Sequence, residues 1–178
     1  MAFDIATKGP NETPGIAAFA WIAKHSDFDV IAGLPASPTT QAEKVTISDD
    51  HTFTAPKGFE KMYIDVDNST LEGAGFGTKD NKGATMRLNA FFPGTKVEFA
   101  AFLKDNPELI VLVPDGNCDG VPRYQQIGTK CSPAKIVAEW AYNSAAAGST
   151  DNRGFEFQIE CHQGSLLFYT GAVTEAGA

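Results

Sequence analysis

The stretch that decides the fold is residues 59–113, FEKMYIDVDNSTLEGAGFGTKDNKGATMRLNAFFPGTKVEFAAFLKDNPELIVLV. Polar and apolar residues alternate over 61–67 and again over 86–92, and a period of two is typical of strands with one face in water. Between these two runs, residues 71–83 are rich in glycine and contain the turn signal DNKG. The sequence therefore predicts a long β-hairpin in which 71–83 forms a projecting loop.

The second half of this stretch predicts a helix followed by a buried strand. Thr95 and Glu98 have the spacing of a capping box, and Pro107 would stop the helix. We therefore expect a short amphipathic helix at about 95–106. Residues 109–113, LIVLV, show no alternation, which favours a strand that is buried on both faces.

The rest of the chain adds further strands. The final two strand candidates are separated by His162, Gln163 and Gly164, and we predict that they form a hairpin. Strands are predicted over 44–48, 51–54, 121–128, 154–161 and 165–169. Residues 16–24 and 134–142 fit either a helix or a strand, and the alternation within each favours a strand.

These elements predict a mainly β fold: an antiparallel β-sandwich or barrel with one packed helix. The length of 178 residues suits a single domain over 1–178. The glycines and prolines of residues 1–15 predict an extended N-terminal arm, and residues 172–178 are expected to form a flexible tail.

The composition is that of a globular protein, with 43% hydrophobic and 20% charged residues and a net charge of −8. Lysine and arginine are scattered, so tight binding of nucleic acid is not expected. An acidic surface serves solubility, and beside DNA it would repel the phosphates. The N-terminus lacks the pattern of a secretory signal, and no apolar run of about 18 residues predicts a membrane span.

Two short motifs are candidates for ligand binding, one for calcium and one for a dinucleotide. Residues 115–120, DGNCDG, match the first half of a calcium loop, but Pro122 and Gln126 occupy the eighth and twelfth positions, where a bidentate Glu is required at the twelfth. We interpret this segment as a β-turn. Residues 73–77, GAGFG, lack a following helix to bind a dinucleotide, and we interpret them as a strand connection.

The histidines do not predict a catalytic or metal site. His25, His51 and His162 lie far apart, and none has a second ligand at metal spacing. Cys161 and His162 are neighbours that would point to opposite faces of a strand, so they would not form a nucleophile–base pair. We predict no catalytic, cofactor or metal residues, and no enzyme activity.

The cysteines and two aromatic residues are the remaining candidates for functional residues. Cys118, Cys131 and Cys161 form no CxxC pair, which favours reduced thiols, and a Cys118–Cys131 bridge stays open. Trp140 and Tyr142 could stack on a sugar or a base. They would share one face of a strand, and we assign them to the core.

The order of the elements resembles a known family. A long hairpin, a helix after PGT, the ELIVLV strand, a DG turn before RYQQIG and the closing GFEFQIE and SLLFYTG strands are similar to the tail tube (major tail) proteins of phages infecting Bacteroidetes-type hosts. The phrases GFEKMYIDVDNSTLEGAGFG, NPELIVLVPDGNCDG and FYTG carry the resemblance, which covers residues 59–171.

The resemblance implies a virion structural protein. Its protomers would form hexameric rings that stack into a hollow tube, with the helix outside and an acidic lumen through which DNA passes during ejection without specific binding. The loop 71–83 and the arm 1–15 would contact neighbouring copies, and other tail proteins would be further partners. The protein would be made in the host cytoplasm and reside in the virion tail, without contact with a membrane.

Two alternatives stay open. One is another virion component, such as a tail terminator, a baseplate or adaptor protein, or a capsid decoration protein. The other is a carbohydrate-binding β-sandwich module that uses Trp140, Tyr142 or Tyr169.

Overall fold

The computed structural model describes residues 17–114, 123–144 and 153–177, and these residues form a mainly β fold with one α-helix. The helix, α1, is Val97–Asp105. The strands are β1 Phe19–Lys24, β2 Phe28–Val30, β3 Thr46–Ile47, β4 Thr52–Phe53, β5 Glu60–Tyr63, β6 Thr70–Thr78, β7 Asn81–Pro93, β8 Leu109–Pro114, β9 Tyr124–Ile127, β10 Lys135–Ile136, β11 Ala141–Asn143, β12 Gly154–Gln163 and β13 Leu167–Tyr169.

The strands are arranged in two main sheets and one small one. A six-stranded sheet has the order β3-β13-β9-β8-β1-β5, and a second sheet has the order β10-β12-β7-β6, with β11 also paired to β12. The strands β2 and β4 form a separate pair. All pairs are antiparallel except β13 with β3. The predicted antiparallel β fold with one helix is therefore confirmed.

The main core lies between the two large sheets. Inward-facing residues of both sheets meet there because each strand turns alternate side chains to the same side. The six-stranded sheet contributes residues such as Val111 and Ile127, and the second sheet contributes residues such as Leu88 and Ile159, all of which are fully buried. This arrangement is that of a sandwich.

Strand β8 is covered on both faces. Each of its first five residues, 109–113, is at most 1% exposed. Leu109, Val111 and Val113 face the main core, while Ile110 and Leu112 belong to a second cluster on the other side of the sheet, with Trp21 and Tyr169 among its members. The doubly buried strand predicted from LIVLV is confirmed.

The helix α1 packs on the end of the sandwich through Phe99. The Phe99 ring stacks on Phe92 with centroids 4.1 Å apart and also contacts Phe157 at 5.0 Å. The predicted capping box was wrong. Lys96 is the N-cap and makes no side-chain capping bond, because Thr95 Oγ1 instead lies 2.7 Å from the hydroxyl oxygen of Tyr142.

The predicted hairpin between the last two strands was also wrong. Strand β12 pairs with β7, β10 and β11, whereas β13 pairs with β9 and β3 in the other sheet. The side chain of Gln163 bridges the two sheets, since its Oε1 accepts from the Gly128 amide at 3.0 Å and its Nε2 donates to the carbonyls of Gln126 and Ser165. The chain therefore crosses between the sheets where the sequence indicated a turn.

The C-terminal residues are held by Phe59. The Phe59 amide donates to the carbonyl of Thr174 at 2.8 Å, and the amide of Ala176 donates to the Phe59 carbonyl at 3.0 Å. These bonds lie within residues 172–178, for which a flexible tail is predicted, and the flexibility of that segment stays a prediction.

His51 is buried at the second cluster in its neutral form. Its Nδ1 accepts from the amide of Ala32 at 3.0 Å, so its Nε2 carries the proton and donates to Gln126 Oε1 at 3.1 Å. Its ring stacks on Tyr169 with centroids 4.5 Å apart. Burial lowers the pKa of His51 from its ordinary value of 6.5, and this outweighs Gln126 and Asp50, which act in the opposite direction.

This lowered pKa predicts acid destabilisation. Below about pH 6.5 the unfolded chain binds a proton at His51 that the folded chain binds less readily, so the free energy of unfolding should fall as the pH decreases. Urea unfolding between about pH 7.5 and 5 would measure the slope. In His51→Gln, which cannot titrate, the slope should be shallower even though the protein is less stable. An unchanged slope in this variant would contradict the assignment.

Candidate assembly edge

Strands β6 and β7 form one long hairpin. They pair in continuous register from Thr70 with Asn89 to Thr78 with Asn81, and Lys79 and Asp80 form the turn. The predicted hairpin is present, but the predicted loop over 71–83 was wrong, because these residues are paired strand. Glycine disfavours strands, yet here the partner strand β7 is fixed by ten register pairs with β12, and this pairing overrides the local preference.

The distal half of the hairpin extends beyond the sandwich. The pairing of β7 with β12 ends at Ala84 and Gln163, so residues 76–83 pair only with each other. Leu71 is the last β6 residue that packs against the main core. Beyond it the inward-facing positions are Gly73, Gly75 and Gly77, which carry no side chain to bury.

Gly77 is required by the geometry near the turn. Its φ is +99°, a conformation that other residues rarely adopt. A Cβ at this position would also collide with the backbone of Asn81. The glycine therefore lets the hairpin close over the two turn residues.

The outer edge of β6 has no partner strand in the described part of the chain. The strand has nine residues, all exposed except Leu71, which is partly buried. Its sequence, TLEGAGFGT, contains one charge and neither lysine nor proline. Natural proteins usually protect an exposed edge with lysine, proline, a bulge or a short strand. This edge has none of these protections, so its amides and carbonyls are available to another strand.

Contacts on the outer face fix the hairpin. The Phe76 ring, 49% exposed, packs edge-on against His162 with centroids 5.8 Å apart and lies over Gly83. Arg87 forms an ion pair with Glu160, its Nε lying 2.8 Å from Glu160 Oε2. These contacts lie on the face of the sheet, so they leave the edge of β6 open.

The candidate catalytic residues do not lie close together. His25, His51 and His162 lie on separate elements, and the described residues hold no cluster of metal-ligating side chains. Cys161 is buried while His162 is exposed on the opposite face of β12, as predicted. Burial raises the pKa of the Cys161 thiol, which donates to the carbonyl of Ser132 at 3.1 Å.

Several predictions fall outside the described ranges. These are the arm over 1–15, the turn at 115–120 and any bridge of Cys118 to Cys131, whose own thiol is exposed. The described residues include no helix long and apolar enough to cross a membrane.

The assignment of Trp140 and Tyr142 to the core was wrong. Their side chains are 50% and 37% exposed, because the strand predicted over 134–142 is interrupted between β10 and β11. Tyr169, by contrast, is fully buried. Sequence reasoning missed the polar residues that surround Trp140, such as Asn68 and Asn89, since they come from separate elements and share no motif.

Comparisons of the chain with models of protein families, with curated proteins and with solved structures found no match. The resemblance to phage tail tube proteins therefore stays a prediction.

Proposed function

We propose that this chain is a structural protein that assembles with further copies of itself, as a virion component of the tail tube kind. The observation that carries the proposal is the unpaired edge of β6. Addition of a strand to an exposed sheet edge is a common mode of recognition, in which main-chain hydrogen bonds supply the affinity. An edge of nine residues with a single charge and neither lysine nor proline suits that mode.

The partner proposed for this edge is a second copy of the chain. The sheet that ends at β6 ends on its other side at β10 and β11, and all three residues of β11 are exposed. A head-to-tail contact between these two edges would continue the sheet from one copy to the next. Such a contact uses two different surfaces, and it closes into a ring when the rotation between copies divides a full turn.

The acidic net charge of the chain is consistent with this function. The net charge of −8 would line a ring with carboxylates that repel DNA, so that a genome could pass without adhering. The remaining features come from the resemblance: hexameric rings that stack into a tube in the virion tail, with contributions from the arm 1–15 and contacts to other tail proteins.

Negative-stain electron microscopy of the purified full-length protein over a range of concentrations tests the proposal. The expected result is rings with six-fold symmetry and stacks of rings at high concentration. Two-fold dimers alone, three-fold knobs, or a monomer at every concentration would each overturn the tube assignment.

A further inference from the structure

A cleft lies on the outer face of the second sheet, at the end away from the hairpin tip. Its volume is about 350 Å³, within the range of about 300–1,000 Å³ that is typical of small-molecule sites. It is separate from the β6 edge described above. Its lining residues are Asn68, Asn89, Ala90, Glu139, Trp140, Ala141, Glu156, Phe157 and Gln158.

Trp140 provides the apolar surface of the cleft. Its ring leans on Phe155, with centroids 6.2 Å apart and the planes at 52°, and half of its surface is exposed. The Phe155 contact holds the indole in place, while the exposed part borders the cleft. A large, rigid aromatic surface of this kind supplies contact area at a small cost in conformational entropy.

Asn89 provides an acceptor that is not satisfied. Its Nδ2 donates to Thr70 Oγ1 at 3.0 Å, whereas its Oδ1 is buried without a hydrogen-bond partner among the described residues. A buried carbonyl oxygen without a donor is destabilising. Because this oxygen is buried, the Asn89 side chain must rotate before a ligand hydroxyl in the cleft can donate to it.

The charges of the cleft restrict the ligand class. Among the described residues, Glu139 and Glu156 are the only charged ones that line the cleft, so phosphates and other anions would be repelled by them. The carboxylate of Glu156 already accepts from Asn143 Nδ2 at 3.3 Å, and it can accept further hydrogen bonds. Hydroxyl groups satisfy both carboxylate and amide oxygens without carrying charge.

We propose that this cleft binds a neutral sugar. The apolar face of the pyranose ring stacks on Trp140, and its hydroxyls donate to the carboxylate of Glu156 and, once the Asn89 side chain rotates, to Asn89 Oδ1. A small cation is a poorer fit, because recognition of a quaternary ammonium group uses a cage of aromatic rings, and in the part of the chain that the structure describes Trp140 is the only exposed aromatic residue that lines the cleft. Ala141, which lines the cleft, belongs to β11, the edge proposed to receive β6 of another copy, so the binding test uses the protein at a concentration below that at which rings form.

A glycan array with the labelled full-length protein would identify neutral oligosaccharides, and calorimetric titration of the best one would give its affinity. Trp140→Ala should weaken binding by about tenfold or more, equivalent to about 1.4 kcal/mol. Glu156→Gln, which keeps the shape of the side chain, should weaken it less. Tyr63→Ala is the matched control, since Tyr63 is 53% exposed and lies outside the cleft, and it should bind like the unaltered protein.

Three outcomes would overturn the proposal: no neutral glycan binds, Trp140→Ala and Tyr63→Ala bind equally well, or choline binds in the cleft while glycans do not. If Trp140→Ala lost its fold, as judged by its melting temperature, Trp140→Phe would replace it. A smaller ring should then give intermediate affinity, and unchanged affinity would count against stacking on Trp140.

Discussion

Replacement of residues 76–83 by Asn-Gly should abolish assembly and leave a folded monomer. The change removes the part of the hairpin that pairs with nothing but itself and closes the shortened strands at Gly75 and Ala84 with a two-residue turn. Because the removed residues lie beyond the sandwich core, the melting temperature should change little. Sedimentation velocity at several protein concentrations would measure the loss of assembly.

A single substitution provides a second route to the same result. Ala74→Lys places a charge on the edge strand, a device by which natural sheets prevent edge-to-edge pairing, and it should weaken assembly while the fold is retained. Val30→Lys is the control, because Val30 is 54% exposed on a strand of the separate β2–β4 pair. Rings that form as readily from the truncated protein as from the unaltered one would exclude the distal half of the hairpin, residues 76–83, as the interface.

Phe99→Ala should destabilise the fold more than any other substitution considered. Phe99 is, with Leu103, one of the two buried residues of α1, and its ring joins the helix to the sheet through Phe92, Phe155 and Phe157. Removal of its ring leaves a cavity between these aromatic side chains, and the expected loss is about 3–5 kcal/mol in the free energy of unfolding. Chemical denaturation monitored by fluorescence would measure it.

Val97→Ala on the same helix is the control for this prediction. Val97 is 79% exposed, so its truncation should change the free energy of unfolding by less than about 0.5 kcal/mol. Similar effects of the two substitutions would mean that α1 does not depend on the Phe99 cluster for its attachment.

The strands that could be predicted from sequence are those whose pattern depends on burial alone. The run at 109–113 lacks polar residues because both faces of β8 are covered, one by the main core and one by the second cluster. The alternation at 154–161 similarly reports one inward face of β12. Local pattern fixes which residues are buried, so these elements and the sandwich class could be inferred.

Partners of strands could not be predicted in the same way. The alternation in β12 indicates which face of the strand is buried, but not which strand lies beside it. The short connection to β13 resembles a hairpin turn in sequence. The decisive contacts are those of Gln163 with Gln126 and Gly128, which join positions about 35 residues apart. Such long-range contacts leave no local signal.

The local sequence pattern also failed to predict the structure of the candidate sites. The glycines at 73–77 indicated a loop because a glycine-rich run has low strand preference, although the paired strand β7 imposes the strand geometry. The sequence predicts that Trp140 lies in the core, because in a continuous strand it would share one face with Ile136 and Ala138. The break between β10 and β11 leaves it exposed instead. In both cases tertiary pairing overrides the local pattern.

Amide hydrogen exchange of residues 70–78, measured on dilute and on assembled protein, tests most directly whether β6 pairs with another copy of the chain. In the monomer the amides on the outer edge of β6 have no acceptor and should exchange rapidly, and they should become protected when rings form, while β8 stays protected throughout. Rings that form without any change in the exchange of β6 would contradict strand addition at this edge.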